Sequence, residues 1–569
     1  MTAFGTRAYR GRALAEQRSS SDYQFQPHER AMMPGSPANP DHPTPRRIGY
    51  FAIGLLLSMT GGFLNGLLTA NLPQIQGALG LTNVEGGWLT AAYSMTNVCM
   101  SLLLIKFRQQ FGIQRFTRYI LAGFLILNLS QLFVHSYGIE LIVRAGSGIV
   151  ASGLSTLSLF YFMQSMPPAA RLAGMIIGVG MGQVALPLAR VISPGLLIHG
   201  DVQNLFLFEF GLTLLCLACV SMLRLPPSER FGAFEPLDFL TFSLFAPGLA
   251  LLSAVLVQGR IQWWSTPWLG YALAGAMLLI GLALIVEHNR ANPLLNTRWI
   301  GSAAIIRFAI VAASMRVLLG EQNFGAAGLL TVLGMGQDQL VGFYAIVTVA
   351  SAAGLAASVA TFNPLDLIKP VILSCALIAV AAFLDADASN LTRPAQLYWT
   401  QAMISFAAVY FLGPTVMNGI LRALVKGPSH LVSFSAIFGI SQQLGGLAGA
   451  ALLGSFQIMR ERFHSEMLTQ AILPTDPQVA TRLAQLGASY ARTLGDPLLR
   501  QAEGAVLEGQ IVTREANILA FNDVFLLVGV LATVAFVYLL WRWSYYRRKG
   551  INPLATELAA LAAMRNRTA

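Results

Sequence analysis

The residues able to do chemistry in this chain are few, and they stand in apolar company. Arg144, Arg190, Glu209, Arg307, Arg316 and Glu321 each interrupt a long hydrophobic stretch. A charge at membrane depth is expensive, so such residues mark ion or substrate paths by default. Arg144 and Glu209 read as functional charges in preference to a structural ion pair. Arg307 lies near the end of its stretch, where a long side chain reaches back to the interface. Arg316 and Glu321 are five apart and do not face each other on a straight helix. Uncharged polar residues and aromatics share the same stretches, and a weakly polar, aromatic cavity suits amphiphilic organic compounds. Asn65, Gln183, Arg190, Arg316, Tyr410 and Gln442 are the expected lining of that cavity.

Bond-making chemistry has no such support. The chain lacks a G-x-x-x-x-G-K phosphate loop, so ATP does not drive it directly. Its seven histidines are scattered, and no His/Cys group has metal-ligand spacing. Cys216 and Cys219 form a C-x-x-C on an apolar stretch without His or acidic partners, which reads as small packing residues. The expectation is no enzyme, no cofactor and no metal.

Side chains of this kind must be carried by membrane helices. Hydrophobic residues make up 55% of the 569 and charged residues 11%, against about 25% charged in soluble domains. Apolar segments recur at about 48–71, 86–107, 117–135, 138–165, 172–197 and 203–223. They continue at 237–258, 266–287, 303–331, 337–360, 366–384, 396–422, 431–458 and 520–541, fourteen in all. Each can cross about 30 Å of hydrocarbon, and continuous apolar runs favour helices over barrel strands. The formal charge of +11 does not point to nucleic acid, because the basic residues sit in short clusters between the segments. Arg46 and Arg47, Lys106 to Arg118, Arg290 and Arg298, and Arg547 to Lys549 fall on one side. The opposite connections 72–85, 198–202 and 332–336 carry no Lys or Arg. That bias and the even count place both termini in the cytoplasm.

Glycine-rich segments join these spans. The fifth carries Gly178, Gly182 and Pro187, and the thirteenth carries Gly445 and Gly449. Small residues at four-residue spacing let helices touch, and proline loosens backbone bonding. These five residues are expected to form a conformational seam, although ordinary packing needs the same glycines. One outer connection, 460–519, is long. Within it Val479, Leu483, Leu486, Tyr490 and Leu494 follow helical spacing. A second helix is expected after Asp496-Pro497, and Asp523 is expected to cap the last span. The region reads as a helical hairpin on its own membrane body, a docking surface for a periplasmic adaptor, or a cap over the exit. Residues 1–47 are polar, rich in Arg, Ser and Pro, and lack a signal-peptide core, which predicts a disordered cytoplasmic tail.

Four places carry a family likeness. Asn71-Leu-Pro73-Gln-Ile75 closes the first span, and Arg144 stands between Leu141 and Gly148. Ser441 to Gly449 reads S-Q-Q-L-G-G-L-A-G, and Asn522-Asp523-Val-Phe525 follows the long connection. Together they resemble the major facilitator superfamily, and within it the fourteen-span drug:proton antiporters of the EmrB/QacA type, over about residues 48–545. The resemblance implies an all-α fold: a six-helix bundle at 48–223, two extra helices at 237–287, and a second bundle at 303–541. A cytoplasmic tail at 542–569 follows. It also matches Arg144 to the arginine of that family's proton-coupling motif. Three places depart from the pattern. The family's first-span acid falls near Leu64, beside Asn65. Ile105 to Ile113 keeps only Gly112 of G-x-x-x-D-R-x-G-R. Gly182-Gln183 stands where the family has Gly-Pro.

With the first-span acid gone, Glu209 becomes the expected proton-coupling carboxylate beside Arg144. The expected function is secondary active export of amphiphilic compounds or drugs across a bacterial inner membrane, by proton antiport and alternating access. The partners implied are a small amphiphilic substrate, the proton gradient, the lipid bilayer and an adaptor at 460–519. Two rivals stay open: a uniporter or importer of an organic anion, and a non-transporting scaffold or sensor.

Overall fold

A computed structural model describes residues 29, 35–133, 136–197, 201–230, 232–290, 293–473, 475–550, 554–557 and 559. The first bundle comprises α1 (Thr44–Leu79), α2 (Asn83–Phe111), α3 (Ile113–Phe133), α4 (Tyr137–Ser165), α5 (Arg171–Leu196) and α6 (Gln203–Met222). An added pair follows, α7 (Pro236–Gln262) and α8 (Pro267–His288). The second bundle comprises α9 (Ala303–Val332), α10 (Val341–Ala360), α11 (Lys369–Asp385), α12 (Pro394–Lys426), α13 (Pro428–Ala471) and α15 (Pro497–Arg548). A shorter α14 (Pro477–Ala488) lies between the last two. Thirteen of these helices have the length and apolar composition to cross a membrane. The fourteenth, α11, has 17 residues, about 26 Å, which is at the short end for a span. The fold is all-α, and the chain is a multi-pass membrane protein.

Local chemistry sets the helix ends. Thr82 accepts from the Glu85 backbone N–H at 3.3 Å, and Glu85 accepts from the Thr82 backbone N–H at 2.8 Å, a reciprocal cap that opens α2. Gly80, at φ 64°, closes α1 in a left-handed conformation that glycine adopts without strain. Asp496 accepts from the Leu498 N–H at 2.8 Å, with Pro497 at the first position of α15.

Small residues hold the helices close. A Cβ on Gly62 would sit 2.3 Å from the Ala185 Cβ, so α1 and α5 touch there. A Cβ on Gly178 would lie 2.9 Å from the Leu159 Cα, and one on Gly449 3.0 Å from the Val317 Cα. Gly445 faces Arg316 and Ala313 of α9 in the same way. The nearest atom to a Cβ on Gly182 would be 4.0 Å away. Gly178, Gly445 and Gly449 therefore sit at seams inside a bundle. It is Gly180 that faces the other bundle, against Leu355 and Val409. α5 runs as one helix through Pro187 and Pro194.

The added pair is clasped to α2. Lys106 Nζ meets Asp238 at 2.6 Å. Arg290 joins Asp238 and Glu235, each at 2.9 Å, and Glu287 at 2.7 Å. Lys106 lies in the eroded Ile105–Ile113 segment, so the carboxylate it pairs with comes from α7.

Two helices outgrow the membrane. α13 has 44 residues and α15 has 52, about 66 Å and 78 Å. The stretch 460–519 is mostly their continuation, with α14 packed on α15. A Cβ on Gly504 would lie 2.2 Å from the Leu483 carbonyl oxygen, and Arg482 pairs with Glu508 at 2.7 Å. Asp523 does not cap a helix. It lies inside α15 and accepts from Arg460 Nε and His464 Nε2, each at 2.6 Å. This projecting end defines the hairpin side; Thr44 and Arg548 define the terminal side.

On the terminal side, residues 36–42 cross the first bundle as a strap instead of continuing a loose tail. The Ala38 N–H donates to the Pro227 carbonyl at 2.9 Å, Gln164 Nε2 donates to the Ala38 carbonyl at 2.9 Å, and Arg171 donates to the Asn39 carbonyl at 2.8 Å. The remainder of the expected tail, 1–28 and 30–34, lies outside the described residues, as does most of the chain beyond Gly550.

Candidate functional site

The hairpin-side third of the first bundle holds a buried charge cluster. Arg144 is fully buried in α4, and its Nε donates to Glu140 Oε1 at 2.6 Å. Gln131 Nε2 donates to both Glu140 oxygens, at 3.2 and 3.1 Å. A second arginine nitrogen, Nη1, donates to the Leu64 carbonyl at 3.4 Å. Leu64 is where the family resemblance expects the first-span acid. Glu140, from α4 itself, supplies the carboxylate that α1 lacks. The sequence reading passed over Glu140, although its four-residue spacing to Arg144 is the signal that finds the pair.

Glu209 of α6 belongs to the same cluster. It is buried, its field acts on Arg144, and neither of its oxygens has a hydrogen-bond partner among the described residues. Arg144 Nη2 and Asn65 Oδ1 are also buried without partners. Such unmet groups are rare in folded interiors and call for an explanation. The Glu209 carboxylate, within the field of Arg144 but outside its hydrogen bonds, can take up and release a proton without dismantling the Glu140–Arg144 bond.

At mid-depth the two bundles meet through a polar trio. Arg316 Nη1 donates to Gln183 Oε1 at 2.9 Å across the bundle boundary, and Arg316 Nε donates to the Gln442 carbonyl at 3.3 Å. Gln183 is central in the 26 residues of α5, and Arg316 is central in the 30 of α9. No carboxylate forms an ion pair with Arg316 among the described residues, and Gln442 Nε2 is buried without a partner. The other expected cavity residues stand elsewhere. Arg190 donates to Tyr344 Oη on the hairpin side, where Gln337 also bonds to the Ala70 carbonyl and to Gln74. These contacts latch α1 and α5 to the second bundle. Tyr410 bonds Thr361 Oγ1 at 3.0 Å and stacks on Phe406 toward the terminal side. Asn65 lies with the Arg144 cluster.

The second bundle has its own buried cluster on the hairpin side. Glu321 opens a short π-helical turn, Glu321–Ala326, inside α9, a geometry often found at functional sites. Gln401 Nε2 donates to Glu321 Oε1 at 3.0 Å and to Asp385 Oδ2 at 2.8 Å. Glu321 Oε2 has no partner. Arg316 points away to Gln183, so the five-residue spacing separates the two charges. Asp385 and Gln401 are 64 and 80 positions from Glu321, and no local spacing in the sequence announces this trio.

Known proteins resemble this chain in sequence and in fold. No family model matches it. The chain is 21% identical over 497 residues to the fatty acid resistance protein FarB of Neisseria gonorrhoeae, covering 83% of this chain and 90% of that protein. It is 21% identical over 481 residues to the multidrug export protein EmrB of Escherichia coli K12, covering 80% and 87%. The fold matches the human organic anion transporter MFSD10 (TETRAN) with a TM-score of 0.53 at 15% identity, over 86% of this chain and 100% of that one. The chain has the major-facilitator fold and is similar to EmrB-type exporters along four fifths of its length. It is a transporter of small molecules and not an enzyme.

Proposed function

We propose that this major-facilitator chain exports amphiphilic organic compounds from a bacterial cytoplasm by proton antiport. The observation that carries the reading is the buried Glu209 carboxylate, left without a donor beside Arg144. A proton entering from the hairpin side, here periplasmic, neutralises Glu209. Its release on the terminal side, here cytoplasmic, restores the field on Arg144 and rocks the bundles about the Gln183–Arg316 contact. The latch of Arg190, Tyr344 and Gln337 closes the periplasmic mouth in the inward-open half of the cycle.

Arg316 favours a particular substrate. A half-buried guanidinium with no carboxylate partner among the described residues is costly, and an anionic head group at mid-depth satisfies it. FarB is named for resistance to fatty acids, which are amphiphiles of this kind. The same arginine keeps the rival reading of an organic-anion uniporter in view. The hairpin of α13, α14 and α15 is the surface for a periplasmic adaptor. Phe463, Met467, Leu498 and Val506 are exposed along it, and such apolar residues suit a protein partner.

The test is proton flux in everted vesicles with amphiphilic carboxylates, comparing the native chain with Glu209→Gln. Substrate-dependent proton movement that disappears in the variant supports antiport through Glu209. Substrate movement without protons in the native chain sinks antiport and leaves the uniporter.

A further inference from the structure

A cavity of about 700 Å³ opens at the terminal-side end of the second bundle. Its walls are α9, the turn before α11 and the start of α11, α12, α15 and residues Gly550 and Leu554 beyond it, so it is separate from the Gln183–Arg316 contact. Five cations line it, Arg307, Lys369, Arg422, Arg542 and Arg547, against one carboxylate, Asp366. Asp366 is already engaged: Lys369 lies 2.7 Å from it, and Trp543 Nε1 donates to it at 3.3 Å.

None of the four arginines forms an ion pair among the described residues. Arg422 Nε donates to Asn418 Oδ1 at 2.8 Å, and Arg307 Nε donates to the Ala303 carbonyl at 2.8 Å. Arg542 donates through Nη1 to Tyr538 Oη and through Nη2 to Tyr546 Oη, neutral acceptors both, and Arg547 lies 5.2 Å from the Trp543 ring centre. Glu557 acts on Arg422 only through its field. Four guanidinium groups around one concavity repel each other, and those of Arg307 and Arg422 spend only their Nε on the bonds just named, which leaves planar donor groups of the geometry that matches phosphate.

Two further observations say what kind of phosphate. Tyr538, Trp541 and Tyr545 stand exposed on α15 at the level of Arg542. Such aromatic residues settle at the headgroup layer of a bilayer. Ile306 and Ile310 are exposed on α9, immediately beside Arg307. The charged cavity thus lies at headgroup depth with an apolar flank running toward the hydrocarbon.

We propose that this cavity is a binding site for the phosphate of an anionic phospholipid, whose acyl chains lie along the exposed flank. Basic pockets between membrane helices hold such headgroups, and each Lys or Arg contributes about 1 kcal/mol near the surface, a factor of about five in affinity. A soluble phosphate shares the anion and lacks the chains.

The test uses the purified full-length chain in detergent micelles and native mass spectrometry. The probes are phosphatidylglycerol, phosphatidylcholine and inorganic phosphate. The native chain should retain phosphatidylglycerol and shed phosphatidylcholine. Retention should fall about fivefold in Arg307→Gln and about thirtyfold in a double variant, Arg422→Gln with Arg542→Gln. Arg298→Gln removes a charge outside the cavity and should leave retention unchanged. Should the double variant fail to fold, the exposed Arg307→Gln decides. Equal retention of both lipids overturns the proposal. So does an Arg298→Gln loss as large as that of Arg307→Gln, or saturation by inorganic phosphate with no competition from lipid.

Discussion

Each bundle buries a polar cluster toward the hairpin side, but among the described residues only the first contains a cation. Glu140 and Glu209 share Arg144, which offsets one of their two formal charges. Glu321 and Asp385 share only the amide of Gln401. The contrast teaches that the bundles, alike in helix count, are not electrostatic copies. Two buried carboxylates without a cation are costly to charge together, because uncompensated charges in a dry interior are poorly solvated. The first cluster is built around a fixed charge and the second around a removable one.

Substitutions can break or sharpen this contrast, and the largest effect is expected at Arg144. Arg144→Ala strands two acids and should cost about 3–5 kcal/mol in reversible unfolding from mixed micelles. Removing Glu140 at the same time, as Arg144→Leu with Glu140→Leu, should recover much of that loss. A comparable loss in the double variant would show that packing, and not charge, holds the cluster.

Next in size is a difference of sign. Glu140→Gln removes the partner of a buried cation and should destabilise by about 2–4 kcal/mol. Glu321→Gln removes a charge that has no cation and should leave stability unchanged or raise it. Equal losses in the two variants would erase the distinction between the bundles. Gln401→Leu takes away the one donor that both acids share and should cost about 1–3 kcal/mol, read in the same unfolding assay.

The smallest expected effect lies at the other end, where the strap covers the first bundle. His42 Nε2 donates to Gln164 Oε1 at 2.8 Å, and its Nδ1 is buried without a partner. Burial lowers this imidazole from its ordinary 6.5 to about 4. The Gln164 bond opposes the shift, while the charges of Arg46, Arg171 and Arg47 add to it. The docked strap therefore binds fewer protons than the released one. Docking is fully present above about 6.5 and is lost as pH falls toward about 4. Thiol labelling of an Ala38→Cys variant should rise over that window and lose its pH dependence when His42→Gln is added. A flat profile in the single variant would detach the strap from His42.

Much of the fold was legible in the sequence, because lipid demands long unbroken apolar helices and loop charge sorts their ends. The candidate site was legible only where its members are neighbours in sequence or break an apolar run. Arg144, Glu209 and Arg316 stand out for that reason. Glu140 was within reach by its four-residue spacing, yet it sits in the first turn of α4, where an acid passes for a helix-start residue. Asp385 and Gln401 were beyond reach, since only tertiary packing brings them to Glu321. Asp523 misled because it adjoins an apolar run, and an acid there looks like a cap until the helix is seen to have begun at Pro497. The strap hid in a composition typical of tails; the bonds at Ala38 and to the Asn39 carbonyl use its backbone, which leaves no mark on the residue types.

The unbroken passage of α13 and α15 out of the membrane has a mechanical result. Both helices belong to the second bundle, and Gln457–Asn517 at 2.7 Å and Arg460–Asp523 at 2.6 Å bolt them together where they emerge. They form a lever with its fulcrum in the bilayer. The arm of α15 above the bolts is about twenty residues, or about 30 Å, so any tilt of the second bundle is magnified at its tip. Whatever grips that tip would feel every turnover as a stroke.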